Sequence, residues 1–376
     1  MNISESEFMD LNDKKAILYI PVSVYIGVTM VLGILGNSLV CYVYGCLIKP
    51  TTTTCFILFL GIYDLVCCSV TLPMEIVEMR YPYYYLPTCK FQRLQITATA
   101  IASGFVLLSI AIDRYLCVCK PQKSKIEYRM AVKIAIMSAV VAVILSIPVY
   151  FIYGQHSYEI ESNVLVSECS SDYSMKSSIL PQIYYGFLLI LFVAILIPLS
   201  LLYIFIWQKL RRHKKSSPFG TNYLMASRNS FHCLASNEMS LMMAKGKSKS
   251  DPTVNNIRIN HTPTRKATID KRNGHHLYKL RRTTMKLFFT TAFFSVSFIP
   301  YHILMIYRTI VGNVGNLMPL SEVLYNLFLR SYQLYTLNPT IYAVCDQKFW
   351  KELWNMFPFC KCGHKEEKED SEEIET

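Results

Sequence analysis

The sequence predicts an all-α membrane protein, a seven-transmembrane helix bundle followed by a C-terminal interfacial amphipathic helix. Three observations carry that prediction. The chain is 52% hydrophobic and only 17% charged, too little charge to cover a soluble domain of this length. Its apolar residues gather in seven stretches, each near the roughly 20 residues that cross ~30 Å of hydrocarbon. Its positive charge lies on one side of those stretches.

The stretches run Ile17–Gly45, Cys55–Met79, Leu94–Val118, Ala131–Tyr153, Ile179–Trp207, Leu287–Ile310 and Leu320–Val344. Each is expected to be helical, because hydrocarbon offers no partner to open backbone groups. Pro73, Pro148, Pro198, Pro300 and Pro339 fall inside spans. In a bundle, neighbouring helices satisfy the carbonyls that proline frees.

Charge sets the orientation. The net charge of +12 is concentrated between Lys209 and Lys286 and around Lys120, Lys123, Lys125 and Arg129. The opposite segments carry Glu5, Glu7, Asp10, Asp13, Glu159, Glu161, Glu168 and Asp172. Positive loops stay cytoplasmic, so a multi-pass plasma-membrane protein with its N-terminus outside and its C-terminus inside is expected. The basic runs flank spans, so anionic lipid is their nearer partner, and no nucleic-acid partner is expected. No cleavable signal is read at the N-terminus: the first apolar stretch follows an acidic tail and is too long for a signal core.

The chain then divides as follows. Residues 1–16 form an extracellular tail whose Asn2-Ile3-Ser4 is a glycosylation sequon at Asn2. Residues 17–345 hold the spans. Residues 211–282 read as a long disordered third intracellular loop, because their polar composition cannot bury a core. The loop offers Arg228-Asn229-Ser230 and Arg265-Lys266-Ala267-Thr268 as basic-flanked hydroxyls a kinase could modify. Residues 346–358 place Phe349, Trp350, Leu353, Trp354 and Phe357 at helical spacing, which predicts a helix lying in the interface. In the acidic tail 359–376, Cys360 and Cys362 are candidate palmitoylation sites.

The thirteen cysteines show no paired Cys/His spacing for zinc, and no metal site is expected from them. Cys89, at the outer start of the third span, and Cys169, in the next outer loop, face an oxidising compartment and are expected to form a disulfide. Charges within spans are costly and usually functional. Asp64 lies mid-span in the second helix. Asp113-Arg114-Tyr115 closes the third, ~37 Å below Cys89 at 1.5 Å per residue.

These residues resemble the rhodopsin-like G-protein-coupled receptors. The resemblance runs through Gly36-Asn37, Leu60 with Asp64, Cys89 with Asp113-Arg114-Tyr115, Pro148, Cys169, Pro198, Phe294 with Phe298-Ile299-Pro300, Asn338-Pro339-Thr340-Ile341-Tyr342 and Phe349. It covers everything but the tails and the long inner loop. It implies a receptor, not an enzyme, with heterotrimeric G protein, arrestin and receptor kinases as cytoplasmic partners. Arg114 resembles the switch arginine held by Asp113, and Tyr342 the tyrosine that moves inward on activation. Tyr115, Asn338 and Pro339 belong to the same coupling motifs. Asn37, Asp64, Ser103 and Asn338 resemble a polar core that in many members holds a sodium ion, the one allosteric ion implied; no other cofactor is.

Several positions depart from the pattern. Phe298 and Ser138 stand where most relatives have tryptophan. Leu280 offers Arg114 no acidic partner, Ile206 replaces a usual tyrosine near Tyr203, and Leu334 and Tyr335 replace small or polar residues. Ile96 stands where amine receptors place an aspartate, and the seventh span lacks a mid-span lysine, so amine and retinal ligands are disfavoured. The outer half instead gathers Glu75, Glu78, Gln92, Gln95, Phe298, Tyr301, His302, Met305, Arg308, Glu322, Phe328 and Tyr332. So mixed a pocket suits a peptide, a neuropeptide or hormone. A small non-amine or lipid ligand is the alternative within this architecture. A transporter is a remote one, since paired repeats are missing. The run Tyr81–Tyr85 reads as an interfacial belt, and Arg330 sits in the seventh span with no partner evident from the sequence.

Overall fold

Apolar length and internal backbone bonding produce long helices, which the computed structural model describes for residues 5–120, 126–160, 164–171, 178–216, 265–311, 318–345 and 349. Helix α1 is Glu5–Leu18 and α2 is Ile20–Tyr42, which continues through a π-helical turn, Val43–Leu47. The second span joins α3 (Thr52–Val66), a π turn (Cys67–Thr71) and α4 (Leu72–Arg80). Next come α5 (Cys89–Cys119) and α6 (Tyr128–Ile152). Two strands follow, β1 (Tyr153–Ile160) and β2 (Val164–Ser171). The chain continues with α7 (Leu180–Ser216) and α8 (Arg265–Val311). The last span is assembled from α9 (Pro319–Leu329), a 3-10 stretch (Ser331–Leu337) and α10 (Asn338–Cys345).

Six of these spans are continuous and apolar enough to cross a membrane. The seventh is subdivided, and its sequence explains why. Pro339 lacks an N–H and crowds the carbonyl four residues back, and the chain upstream winds into the tighter 3-10 form. The second span does the reverse: its π turn ends immediately before Leu72-Pro73. Pro148, Pro198 and Pro300 sit inside unbroken helices.

Close packing fixes the first span against its neighbours. A Cβ on Gly33 would fall 2.3 Å from Cys68 Sγ, and one on Gly36 would fall 2.7 Å from Pro339 Cβ. Glycine at both positions lets the first span approach the second and the seventh. The main core runs beneath the mouth and joins Phe56, Leu60, Leu107, Ile110, Leu199, Leu287, Phe294 and Tyr335. Outward faces keep Ile144, Phe151, Ile190 and Val296 exposed, as lipid-facing surfaces require.

The structure amends the sequence reading in three places. The loop between the fourth and fifth spans is an antiparallel hairpin of β1 and β2, in which Gln155 opposes Cys169. The disulfide Cys89–Cys169 pins it over the start of α5. Within residues 211–282, expected to lack structure, α7 and α8 take over both ends. An apolar periodicity was missing there, so composition alone could not reveal the extensions. The acidic tail contains α1, whose Asn12 is buried and donates to the Arg80 carbonyl at 3.3 Å. The expectations at Asn2, Cys360, Cys362 and most of 346–358 lie outside the described residues.

Candidate functional site

Four charged groups meet in the third of the bundle nearest the Cys89–Cys169 disulfide. Glu75 and Glu78 lie one turn apart on α4, Arg93 lies one turn below Cys89 on α5, and Arg330 sits at the turn between α9 and the 3-10 stretch. Arg93 donates from Nη1 to Glu75 at 2.7 Å and from Nη2 to both Glu78 oxygens at 2.6 and 2.7 Å. Arg330 donates from Nε to the other Glu75 oxygen at 2.6 Å and from Nη1 to Asn326 Oδ1 at 2.8 Å. Gln92 Nε2 approaches Glu78 at 3.5 Å. Glu75 is fully buried, so both its oxygens depend on guanidinium groups from other helices. The cluster carries no net charge, which is how four ionised groups tolerate removal from water. Arg93 also lies over the Tyr153 ring at 5.7 Å, tying the cluster to the hairpin.

Arg330, partnerless in the sequence reading, therefore has one. Glu75 stands 255 positions away, and only the fold makes them neighbours.

Above the cluster, Lys15 of α1 donates to Glu322 at 2.6 Å, and Tyr19 bonds the same carboxylate. Asp13 pairs with Arg80 at 2.7 Å. Tyr84 packs edge-on against Phe8 at 5.3 Å, and Ser167 N–H donates to the Tyr83 carbonyl at 3.3 Å. The tyrosine run thus joins α1 and the hairpin to the outer loop. Burial, reinforced by the Glu168 carboxylate, holds the hairpin's Tyr158 hydroxyl above its ordinary pKa.

Below the cluster lies a cavity of about 90 Å³ whose lining includes Ile96, Gly104, Phe192, Phe298, His302 and Tyr332. An engineered apolar cavity of about 150 Å³ takes benzene, so this one suits a single apolar side chain. Phe298 forms its floor, with ring centroids of Phe294 at 4.7 Å and of Phe192, Tyr332 and Tyr335 at 5.7–5.8 Å. Of the expected pocket residues, Phe298, Tyr301, His302 and Tyr332 line this cavity. Glu75 and Gln92 belong to the charged cluster. Gln95 turns to the Val66 carbonyl at 3.3 Å. Met305 is buried away from the lining, and Phe328 is 51% exposed. Arg308 is in α8, with its side chain outside the description.

The mid-span polar group follows. Asn338 Nδ2 donates to Asp64 at 3.0 Å, and Asn37 Nδ2 to the Gly33 and Thr336 carbonyls at 2.9 and 2.8 Å. One oxygen each of Asn37, Asp64, Ser103 and Asn338 is buried without a hydrogen-bond partner among the described residues. Tyr335 fills the neighbouring space and donates to Thr99 at 3.3 Å.

At the end of the bundle opposite the disulfide, Arg114 is held by Asp113 through both Nε, at 3.1 Å, and Nη2. Nη2 also donates to Thr53 on the second span at 2.7 Å. Thr53 was not anticipated. Tyr342 is buried beside Tyr44 at 6.1 Å, and Tyr44 stacks on Phe349. Lys286 of α8 lies over the Tyr44 ring at 5.5 Å. Ile206 is buried, and Tyr203 instead shares a 3.3 Å hydrogen bond with Thr291.

Comparison with known proteins agrees with this arrangement. The profile of the family described as "7 transmembrane receptor (rhodopsin family)" matches residues 36–342. Squid rhodopsin superposes with a TM-score of 0.65 at 18% identity, covering 94% of this chain and 89% of that one, a likeness of fold. Over shorter stretches the chain is 31% identical to mouse neuromedin-U receptor 2, covering 38% of this chain and 37% of the relative. It is 32% identical to Macaca mulatta N-formyl peptide receptor 2, covering 39% and 44%. It is 33% identical to Bos taurus type-1 angiotensin II receptor, covering 44% and 46%. Each match spans less than half of the relative's length. The chain belongs to the rhodopsin family of seven-transmembrane receptors, a family of receptors and not of enzymes.

Removing one member of a buried ion pair leaves its partner's charge stranded, at a cost of about 3–5 kcal/mol. Glu75→Gln, which strands two guanidinium groups, is expected to lower the apparent melting temperature of the detergent-purified protein more than Glu78→Gln does. An equal or smaller loss would deny Glu75 its central place in the cluster.

Proposed function

We propose that the chain sits in the plasma membrane with its N-terminus outside, binds an extracellular peptide at the charged mouth, and activates heterotrimeric G proteins at the Arg114 face. The observation that carries the reading is the stacking of two unlike sites along one axis. A neutral cluster of acids and guanidinium groups lies over an apolar cavity of single-side-chain size. A peptide offers both an apolar side chain and a polar backbone or terminus, and those ends match that order. The relatives described above are, by name, receptors for neuromedin U, an N-formyl peptide and angiotensin II. The ligand class is thus a neuropeptide or peptide hormone. Arrestin and receptor kinases are proposed as further partners of the cytoplasmic segments. One observation favours a different ligand: the cavity wall is almost wholly aliphatic and aromatic, which suits a small non-amine or lipid molecule.

The test is nucleotide exchange on a panel of purified G proteins, with the receptor challenged separately by peptide and lipid libraries. Peptides are expected to accelerate exchange. Arg114→Ala is expected to abolish acceleration while an activating peptide still binds. Acceleration by lipids alone would favour the alternative ligand, and acceleration undiminished in Arg114→Ala would remove that residue's role.

The mid-span group is proposed to hold a sodium ion. Buried unpartnered oxygens call for an ion or water, and Asp64 supplies the charge while Asn37, Ser103 and Asn338 supply neutral oxygens. Sodium chloride is expected to raise the apparent melting temperature above that in choline chloride, and Asp64→Asn to erase the difference. Equal melting of the unaltered protein in both salts would exclude the ion.

A further inference from the structure

A second cavity, of about 190 Å³, opens at the far end of the bundle between the third and fifth spans, lined by Tyr115, Cys119, Phe205, Gln208, Lys209 and Arg212. Among the described residues its charge is all of one sign, with Lys209 and Arg212 contributed by α7 and no carboxylate in the lining. A third cation joins from just past α5, where Lys120 follows Cys119 with its ammonium over the Tyr115 ring at 5.5 Å. Lys209 and Lys120 both act electrostatically on the Cys119 thiol, so cations from α7 and from the end of α5 converge on one place.

Depth and surroundings narrow the choice of ligand. The apolar run of the fifth span ends at Trp207, which puts Lys209 and Arg212 just past it, where hydrocarbon gives way to headgroups. One turn back, ~6 Å along the axis, Phe205 is 49% exposed beside the exposed Ile204 and Trp207. The site therefore has a cationic end at headgroup level and an aromatic wall continuous with the lipid-facing surface. A soluble anion uses only the cations, whereas a phospholipid with a phosphorylated headgroup uses both. Basic pockets between helices on the cytoplasmic side are suited to such headgroups.

We propose that this cavity binds the headgroup of an anionic inner-leaflet phospholipid bearing extra phosphate groups, its acyl chains running along Phe205. The proposal rests on the orientation given above, which puts this end of the bundle in the cytoplasm. It assigns Lys209 and Arg212 a role in addition to the general positive charge of the inner loops.

The experiment uses the full chain in nanodiscs of phosphatidylcholine, with a phosphatidylinositol bisphosphate as probe and native mass spectrometry as readout. Nanodiscs expose both faces, so an inverted orientation would not affect binding, and epitope accessibility in cells reports orientation separately. The receptor is expected to retain the phosphoinositide. Each cation removed is expected to weaken binding roughly fivefold: Lys120→Gln by about that factor, and the Lys209→Gln/Arg212→Gln pair by roughly 25-fold. These side chains are exposed, so the variants are expected to fold, and unchanged melting would show it. The soluble inositol trisphosphate headgroup, lacking acyl chains, is expected to bind at least about tenfold more weakly, given the chains' buried CH₂ groups. Retention unaffected by the paired substitution would overturn the proposal. So would failure to retain the phosphoinositide, or equal binding of the soluble headgroup, which would assign the cations to a free phosphate.

Discussion

Hydrocarbon supplies no hydrogen bonds, so every polar group placed in it must find a partner within the protein or in the one chain segment it belongs to. Small hydroxyls obey by bonding one turn back: Thr29 to the Tyr25 carbonyl, Ser109 to Phe105, Ser146 to Ala142 and Thr290 to Lys286. Larger groups cannot, and so they cross between helices. Asn37 reaches the seventh span, Asn338 the second, Arg114 the second, and Arg330 the second again. Those cross-links decide which spans are neighbours. Apolar packing then fills the space between them, with glycine where the first span comes closest.

The same requirement orders the molecule along its axis. The outer charges are neutral as a set and partly reach the mouth, since Arg93 and Glu78 keep 13% and 12% of their side-chain surface. The mid-span polar group is sealed, with oxygens left over. The inner arginine is held by a carboxylate next to it in sequence and by a threonine from another span. Between the outer and inner sites lies the ring cluster around Phe298, which touches the fifth, sixth and seventh spans at once. A ligand that moves one ring there bears on all three helices.

Much of this was legible in the sequence. Apolar length located the spans, and the intramembrane Asp64 and Asp113-Arg114 the costly groups that needed reasons. The disulfide followed from two cysteines on one side of the membrane. What stayed hidden depended on pairing across long separations. Arg330 meets Glu75, Lys15 meets Glu322, and Arg114 meets Thr53 only once the chain is folded. Local signals failed in another way at the hairpin and at α1, where alternation and amphipathicity were too weak to overrule a reading as loop and tail. The 3-10 break in the seventh span had a visible cause in Pro339, but the choice between kink and rewinding belongs to the packing around it.

The charged mouth is proposed to lie outside the cell, and Arg114 with the basic ends inside. Epitope accessibility in intact cells measures that direction directly. A tag before α1 is expected to stain without permeabilisation, and a tag after residue 376 only with it. The reverse pattern would put the charged mouth in the cytoplasm and contradict the account.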